Sequence, residues 1–301
     1  MSFSSDWIRE NFAAGDTARD AGLTSPDDVV RYDDIVYGDD PEWQVLDVYR
    51  PCDMEGDKLP VIVSVHGGGW VYGDKNRYQF YCMDLAERGF AVVNFSYRLA
   101  PEHKFPASLE DANRVFAWVL DNAEQYGFDT ENVFAVGDSA GGHLLGLFSC
   151  LCTNPEYAAL FDFAPPEGFA PRAVALNCGA YDLPKAGSPT GAGNMMQELM
   201  ADLLPGEDPE LEVRKIDVPS HVTAQFPPAF IMTANEDFLK GQAPLLTDQL
   251  FAIDVPFVFR YYGTSDIRLQ HVFHLDIRSE HAALCNDEEC EFFRRNMTIK
   301  Q

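Results

Sequence analysis

Short apolar runs alternate with longer stretches of helical periodicity from residue 60 onward. The runs at 61–65, 91–95, 133–136, 173–177, 229–233 and 257–261 are rich in Val, Ile and Phe with few polar interruptions, the pattern of parallel strands covered on both faces. Between them, 75–88, 106–126, 142–152 and 242–253 read as helices, and 279–296 as a final one. Strand and helix in alternation predict an α/β fold, with a mostly parallel central sheet, right-handed crossovers and flanking helices. Ligands in such sheets bind at the carboxyl ends of the strands.

Two stretches depart from this grammar. Residues 1–28 carry Trp7, Ile8, Phe12, Ala13 and Leu23 at roughly helical spacing, which predicts one or two short amphipathic helices that pack on something else. Residues 180–226 hold Pro184, Gly187, Pro189, Gly191, Gly193, Met195, Met196 and Met200 around a short helical patch, too long for a simple connection. This segment reads as an inserted lid that meets the N-terminal helices, so 1–28 and 180–226 are lid elements within one domain over 1–301. Between the first of them and the sheet, 29–37 and 43–50 alternate apolar and polar about Gly38-Asp39-Asp40-Pro41. That pair predicts an antiparallel hairpin or meander at a sheet edge.

The strand at 133–136 runs directly into Gly137-Asp138-Ser139-Ala140-Gly141 and then a helix. G-x-S-x-G in this context is a nucleophile elbow, whose strained serine stands clear of the sheet. No Lys-Ser or Lys-Thr pair and no G-x-G-x-x-G accompanies it, which sets aside a phosphate-binding loop. After the strand at 61–65 comes His66-Gly67-Gly68-Gly69-Trp70. Three bare residues in a row pack nothing, and acyl transfer supplies a reason for them, since an oxyanion needs unobstructed N–H donors. Gly68, Gly69 and Ala140 are the candidate oxyanion hole, and His66 is placed to hold the loop by hydrogen bonds.

A serine nucleophile needs a base and an orienting acid, in the chain order Ser, acid, His for this elbow. Glu236 and Asp237 follow the strand at 229–233, and His271 and His274 follow the strand at 257–261. Each lies past a strand's carboxyl end, on the edge that carries Ser139. His143 reads as a core histidine in the helix after the elbow. His271, His274 and His281 do not make H-E-x-x-H and the cysteines lack C-x-x-C, so no metal site is expected. Trp70, Tyr72, Tyr181, Met195, Met196, Phe238 and Leu239 are candidates to line an apolar substrate pocket.

Composition narrows the partners. A formal charge of -26, from 48 acidic and 22 basic residues, argues against nucleic acid, anionic membrane surfaces and polyanionic substrates. Seven irregularly spaced cysteines, with Cys150, Cys152 and Cys178 in apolar surroundings, read as free thiols of a reducing compartment. The first 20 residues show no apolar signal region, and no apolar run approaches bilayer length. A cytoplasmic protein is the expectation; oligomeric state is unread.

Three motifs together, His66-Gly67-Gly68-Gly69-Trp70, Gly137-Asp138-Ser139-Ala140-Gly141-Gly142 and the run from Tyr97-Arg98-Leu99-Ala100-Pro101-Glu102 to Ala107, resemble the α/β-hydrolases of the hormone-sensitive-lipase type, the bacterial acetyl-esterase and carboxylesterase group. The resemblance covers residues 66 to about 275. It implies an α/β-hydrolase fold with a lid from N-terminal helices and an insertion, and hydrolysis of short-acyl esters through an acyl-enzyme without a cofactor. The family acid sits in D-x-L, matched by Asp237-Phe238-Leu239. The family base sits in H-G-F, matched by His271-Val272-Phe273 except for the valine. Ser139, Asp237 and His271 are thus the implied triad, and a small ester, such as an acetylated sugar, the implied substrate. An amide or formamide hydrolase on the same triad, or a non-catalytic binding protein on this scaffold, are the competing functions.

Overall fold

The computed structural model describes residues 1–54, 56–183 and 193–298. The chain begins with α1 (Phe3–Asp20), β1 (Val29–Val36), β2 (Val45–Pro51), β3 (Leu59–Val65), α2 (Lys75–Glu87) and β4 (Ala91–Phe95). It continues through α3 (Ala107–Asp121), α4 (Ala123–Tyr126), β5 (Phe128–Asp138), α5 (Ala140–Thr153), α6 (Pro155–Ala158) and β6 (Val174–Asn177). Then come α7 (Gly193–Leu203), α8 (Pro209–Lys215), α9 (Val218–His221), β7 (Ala229–Ala234), α10 (Gln242–Ala252), β8 (Phe257–Tyr262) and α11 (Glu280–Arg295).

The strands form an eight-stranded sheet in the order β1-β2-β4-β3-β5-β6-β7-β8. β1 and β2 form the antiparallel edge, and β4 through β8 run parallel, the mixed α/β sheet that the alternation predicts. Alternate residues of the buried strands feed two separate cores. Val61, Val63, Val65, Val93, Ala135, Leu176 and Ile231 pack on one face with α3, α5 and α10. Ile62, Val92, Phe134, Val136, Ala175, Phe230 and Met232 pack on the other with α2 and α11. That two-sided burial is why these strands read as continuous apolar runs. Among the described residues no helix is long and apolar enough to cross a membrane.

The differences from the sequence pattern have local causes. Residues 1–28 contain a single helix, within the one or two expected but 18 residues long rather than short, capped by the Ser2 side chain accepting from Ser5 N–H. The helix expected at 106–126 divides at Asn122, whose side chain and backbone both donate to the Trp118 carbonyl. β5 starts five residues earlier than the apolar run, because the polar Asp129–Asn132 stretch continues the strand and Leu59 pairs with Phe128. Within 180–226 the described residues form α7, α8 and α9, while Pro184, Gly187, Pro189 and Gly191 lie outside the described residues.

α1 and α7 join far from each other in sequence. Ser4 N–H and its hydroxyl donate to Glu198 at 3.0 and 2.6 Å, and Ser2 N–H and the Ser5 hydroxyl donate to Asp202. Two carboxylates thereby meet the positive end of the α1 dipole. Arg9 ties the same helix to the body: it pairs with Glu102 at 2.7 Å and donates to the carbonyls of Val71 and Ala100.

Candidate active site

Ser139 occupies the turn between β5 and α5 at φ 52° and ψ -119°, a region that L residues avoid. The turn is this sharp because its neighbours lack side chains. A Cβ on Gly137 would stand 2.5 Å from the Gly141 carbonyl oxygen, and one on Gly141 would stand 2.1 Å from that of Val65. Those two glycines therefore let β5, α5 and the end of β3 close together around the serine.

The serine hydroxyl lies 2.9 Å from His271 Nε2, and His271 Nδ1 lies 2.7 Å from Asp237 Oδ1. Asp237 Oδ1 also accepts from Leu239 N–H at 2.8 Å, and its other oxygen accepts from the Thr233 hydroxyl at 2.6 Å. Burial pushes the Asp237 carboxyl upward, but His271 and these donors outweigh it and hold the group below its ordinary value. A carboxylate that stays charged at Nδ1 fixes that nitrogen as the N–H and leaves Nε2 to accept from Ser139. The other candidates point elsewhere. His274 is buried against the Tyr81 ring with neither nitrogen hydrogen-bonded, and burial pushes its pKa down to about 3. Glu236 faces Arg268 at 4.0 Å near the surface.

The glycine loop crosses in front of Ser139 with Gly68 at φ 119° and Gly69 at φ 61°. A Cβ on Gly68 would fall 2.0 Å from the Tyr72 carbonyl oxygen, so only glycine permits this bend. Ala140 opens α5, where first-turn N–H groups have no intrahelical acceptor. Two side chains hold the loop. His66 contacts the Gly67 carbonyl through Nδ1 at 2.7 Å and stacks on Tyr97 at 4.0 Å; burial pushes its pKa down to about 4, so it is a neutral N–H donor. Tyr78 accepts from Gly67 N–H and donates to Asp138 Oδ2, each at 2.8 Å, and burial lifts Asp138 to about 6. That bridge between loop and elbow carries no sequence signature, since Tyr78 is one aromatic in a helix.

A cavity of about 430 Å³ opens beside Ser139. Trp70, Phe238, Leu239, Met195 and Met196 line it, together with Trp7, Ile8 and Phe12 of α1 and Leu199 of α7. The α1 residues show a helical stripe in the sequence, but nothing there says which element the stripe faces. Trp70 is anchored by donating from its indole N–H to His143 Nδ1 at 3.1 Å, while His143 Nε2 meets the Ile216 carbonyl at 2.7 Å; His143 is thus a core residue that fixes a cavity wall. Tyr72 borders a smaller recess of about 50 Å³ that Ser139 and His271 also line, and its hydroxyl donates to Asp16 at 2.8 Å. Tyr181 does not line the cavity. Its ring is fully buried, and its backbone N–H donates to Gln242 at 2.8 Å, so the residue after Ala180 turns inward.

Residues 46–249 match the model of the BD-FAE family. The chain belongs to the α/β-hydrolases of the hormone-sensitive-lipase type. Among relatives in this family, esterase LipC of Mycobacterium tuberculosis is 31% identical over 208 residues, 67% of this chain and 50% of LipC. Carboxylesterase NlhH of the same organism is 30% identical over 221 residues, 66% of this chain and 63% of NlhH. The chain thus spans about half the length of LipC and under two thirds of NlhH. The solved structure of esterase B from Lactobacillus rhamnosis superposes with a TM-score of 0.88 at 28% identity, covering 97% of this chain and 94% of that one. Esterase B has also been solved with a C4-C4 tributyrin phosphonate inhibitor, with a TM-score of 0.86 to this chain.

Proposed function

We propose that the chain is a carboxylic ester hydrolase that works through an acyl-enzyme on Ser139, with Asp237 and His271 as its acid and base. The observation that carries this reading is the series of 2.9 and 2.7 Å contacts from the Ser139 hydroxyl through His271 to Asp237. Ser139 Oγ attacks the ester carbonyl as His271 Nε2 takes its proton. The carbonyl oxygen collects negative charge beside the N–H groups of Gly68, Gly69 and Ala140. Each such donor contributes a factor on the order of 10²–10³ in rate. His271 then protonates the departing alcohol, and a water repeats the sequence to release the acid. Asp237 keeps the imidazole in the tautomer that both halves require.

The substrate we infer is a small apolar ester with a short acyl group. The walls supplied by α1, α7, Trp70 and Phe238 are apolar, which favours such an ester over an acetylated sugar, and the tributyrin phosphonate of esterase B is of the same kind. α1 and α7 act as the lid in this reading. Seven free cysteines support a reducing compartment such as the cytoplasm. Initial rates on 4-nitrophenyl esters from acetate to decanoate, with Ser139→Ala as control, test the proposal. A maximum at acetate or butyrate that disappears in the variant is expected. Undiminished hydrolysis by Ser139→Ala, or no fluorophosphonate adduct on the unaltered protein, refutes it.

A further inference from the structure

Behind the proton relay lies a third side chain that the ester chemistry does not use. Cys178 follows β6 directly, with φ 48° and almost no exposure. One ligand atom each from Cys178, Asp237 and His271 lies within 4.8 Å of the other two, and among the described residues this is the one such cluster of three. A second soft atom adjoins it: Met232 Sδ is 3.7 Å from Cys178 Sγ. In a tetrahedral site with metal–sulfur bonds of about 2.3 Å and metal–nitrogen or metal–oxygen bonds of about 2.0–2.2 Å, neighbouring ligand atoms stand about 3.3–3.8 Å apart. The two sulfurs already have that spacing; the Cys178, His271 and Asp237 atoms lie at most about 1.5 Å beyond it, and the 2.7 Å pair of His271 Nδ1 and Asp237 Oδ1 has to open to reach it.

We propose that Cys178, His271 Nδ1 and Asp237, assisted by the Met232 thioether, form a site for a thiophilic divalent cation such as Zn²⁺ or Cd²⁺, and that its occupancy switches the hydrolase off. A thiolate, an imidazole and a carboxylate are the donor set of tetrahedral zinc, and an added thioether favours the softer cations. The switching follows from proton placement. In the neutral imidazole the single proton sits on Nδ1 and Nε2 accepts from Ser139. A cation on Nδ1 displaces that proton to Nε2, while the Cys178 thiol proton leaves to solvent. Nε2 is then a donor, and the serine loses the acceptor it needs. The chain's charge of -26 raises the local concentration of any cation. Of the three ligands, His271 borders a recess of about 50 Å³ that Ser139 and Val272 also line.

The inhibition half of this inference rests on the proposed ester hydrolysis, whereas the binding half does not. Two measurements therefore separate them. Cd²⁺ titrated alone into the Ser139→Ala protein, with the exposed Cys52 changed to Ser, should raise a thiolate-to-cadmium ultraviolet charge-transfer band. The further change Cys178→Ala, or Cys178→Ser should alanine prove insoluble, should abolish it. In steady-state assays Zn²⁺ should inhibit reversibly on chelation, and Cys178→Ala should need at least about tenfold more Zn²⁺ for half inhibition. Absence of the band from the protein that retains Cys178 overturns the site even if no ester is ever hydrolysed. Equal Zn²⁺ sensitivity with and without Cys178 overturns the switch.

Discussion

Glu289 of α11 is fully buried beneath the sheet, where its carboxyl accepts from Asn177 Nδ2 at 2.7 Å and from the Tyr81 hydroxyl at 3.1 Å. Burial lifts it from 4.5 to about 7, against the pull of those two donors. A carboxyl whose folded value is raised stabilises the fold fully below its unfolded value, and that contribution is lost as pH climbs toward the folded value. The window therefore runs from about pH 4.5 to pH 7. At about 1.4 kcal/mol for each tenfold change in protonation, the ionised carboxylate costs the folded state about 3 kcal/mol at pH 8. Glu289→Gln keeps the shape and removes the ionisation: its amide oxygen can accept from Asn177 and its amide nitrogen can donate to Tyr81. Urea unfolding of both proteins at several pH values from 4.5 to 8 should show the glutamine variant gaining on the parent as pH rises, by about 3 kcal/mol over the range. Asp138, lifted by burial to about 6, is present in both proteins and largely cancels in the comparison. Parallel stability profiles, or a variant that loses ground at high pH, would refute the reasoning.

Three further outcomes follow from the site. Asp237→Asn should lower kcat by about 10³–10⁴, because an amide can present its N–H to His271 and favour the wrong tautomer; steady-state kinetics with a folded variant by circular dichroism check this. Tyr78→Phe leaves Gly67 N–H without its 2.8 Å acceptor and Asp138 without its 2.8 Å donor. It should lower kcat tenfold or more with KM little changed, and cost about 1–3 kcal/mol in unfolding; a change confined to KM would contradict the positioning role. Met196→Trp, on the cavity wall, should move the optimum of the nitrophenyl ester series toward acetate while leaving the acetate rate within a few-fold, as a chain-length profile would show.

Much of this architecture is legible in the sequence because burial on both faces writes itself locally. Residues 133–136 are apolar throughout and 61–65 are apolar but for Ser64, and the glycines at 137 and 141 mark a turn whose steric demand is severe. Long-range pairing leaves no such mark. Apart from the partial motif match at His271, strand position alone does not separate His271 from His274; the packing puts one beside Ser139 and the other against Tyr81. Tyr181 follows a strand end just as a pocket residue should, yet its ring turns into the core. Cys178 reads as one buried thiol among several until the fold sets it beside Asp237 and Met232.

The site has two kinds of wall, and they differ in how much change they can take. Ser139, His271 and the glycine loop stand on the sheet, where Gly68 and Gly141 allow no added carbon. Trp7, Phe12, Met195 and Met196 stand on α1 and α7, which meet through four hydrogen bonds between serines and carboxylates. A change among those four alters what fits without touching the proton relay or the strands beneath it. The proton relay and the walls that would choose its substrate thus stand on separate parts of one chain, so α1 and α7 can be altered while the machinery beneath them is left in place.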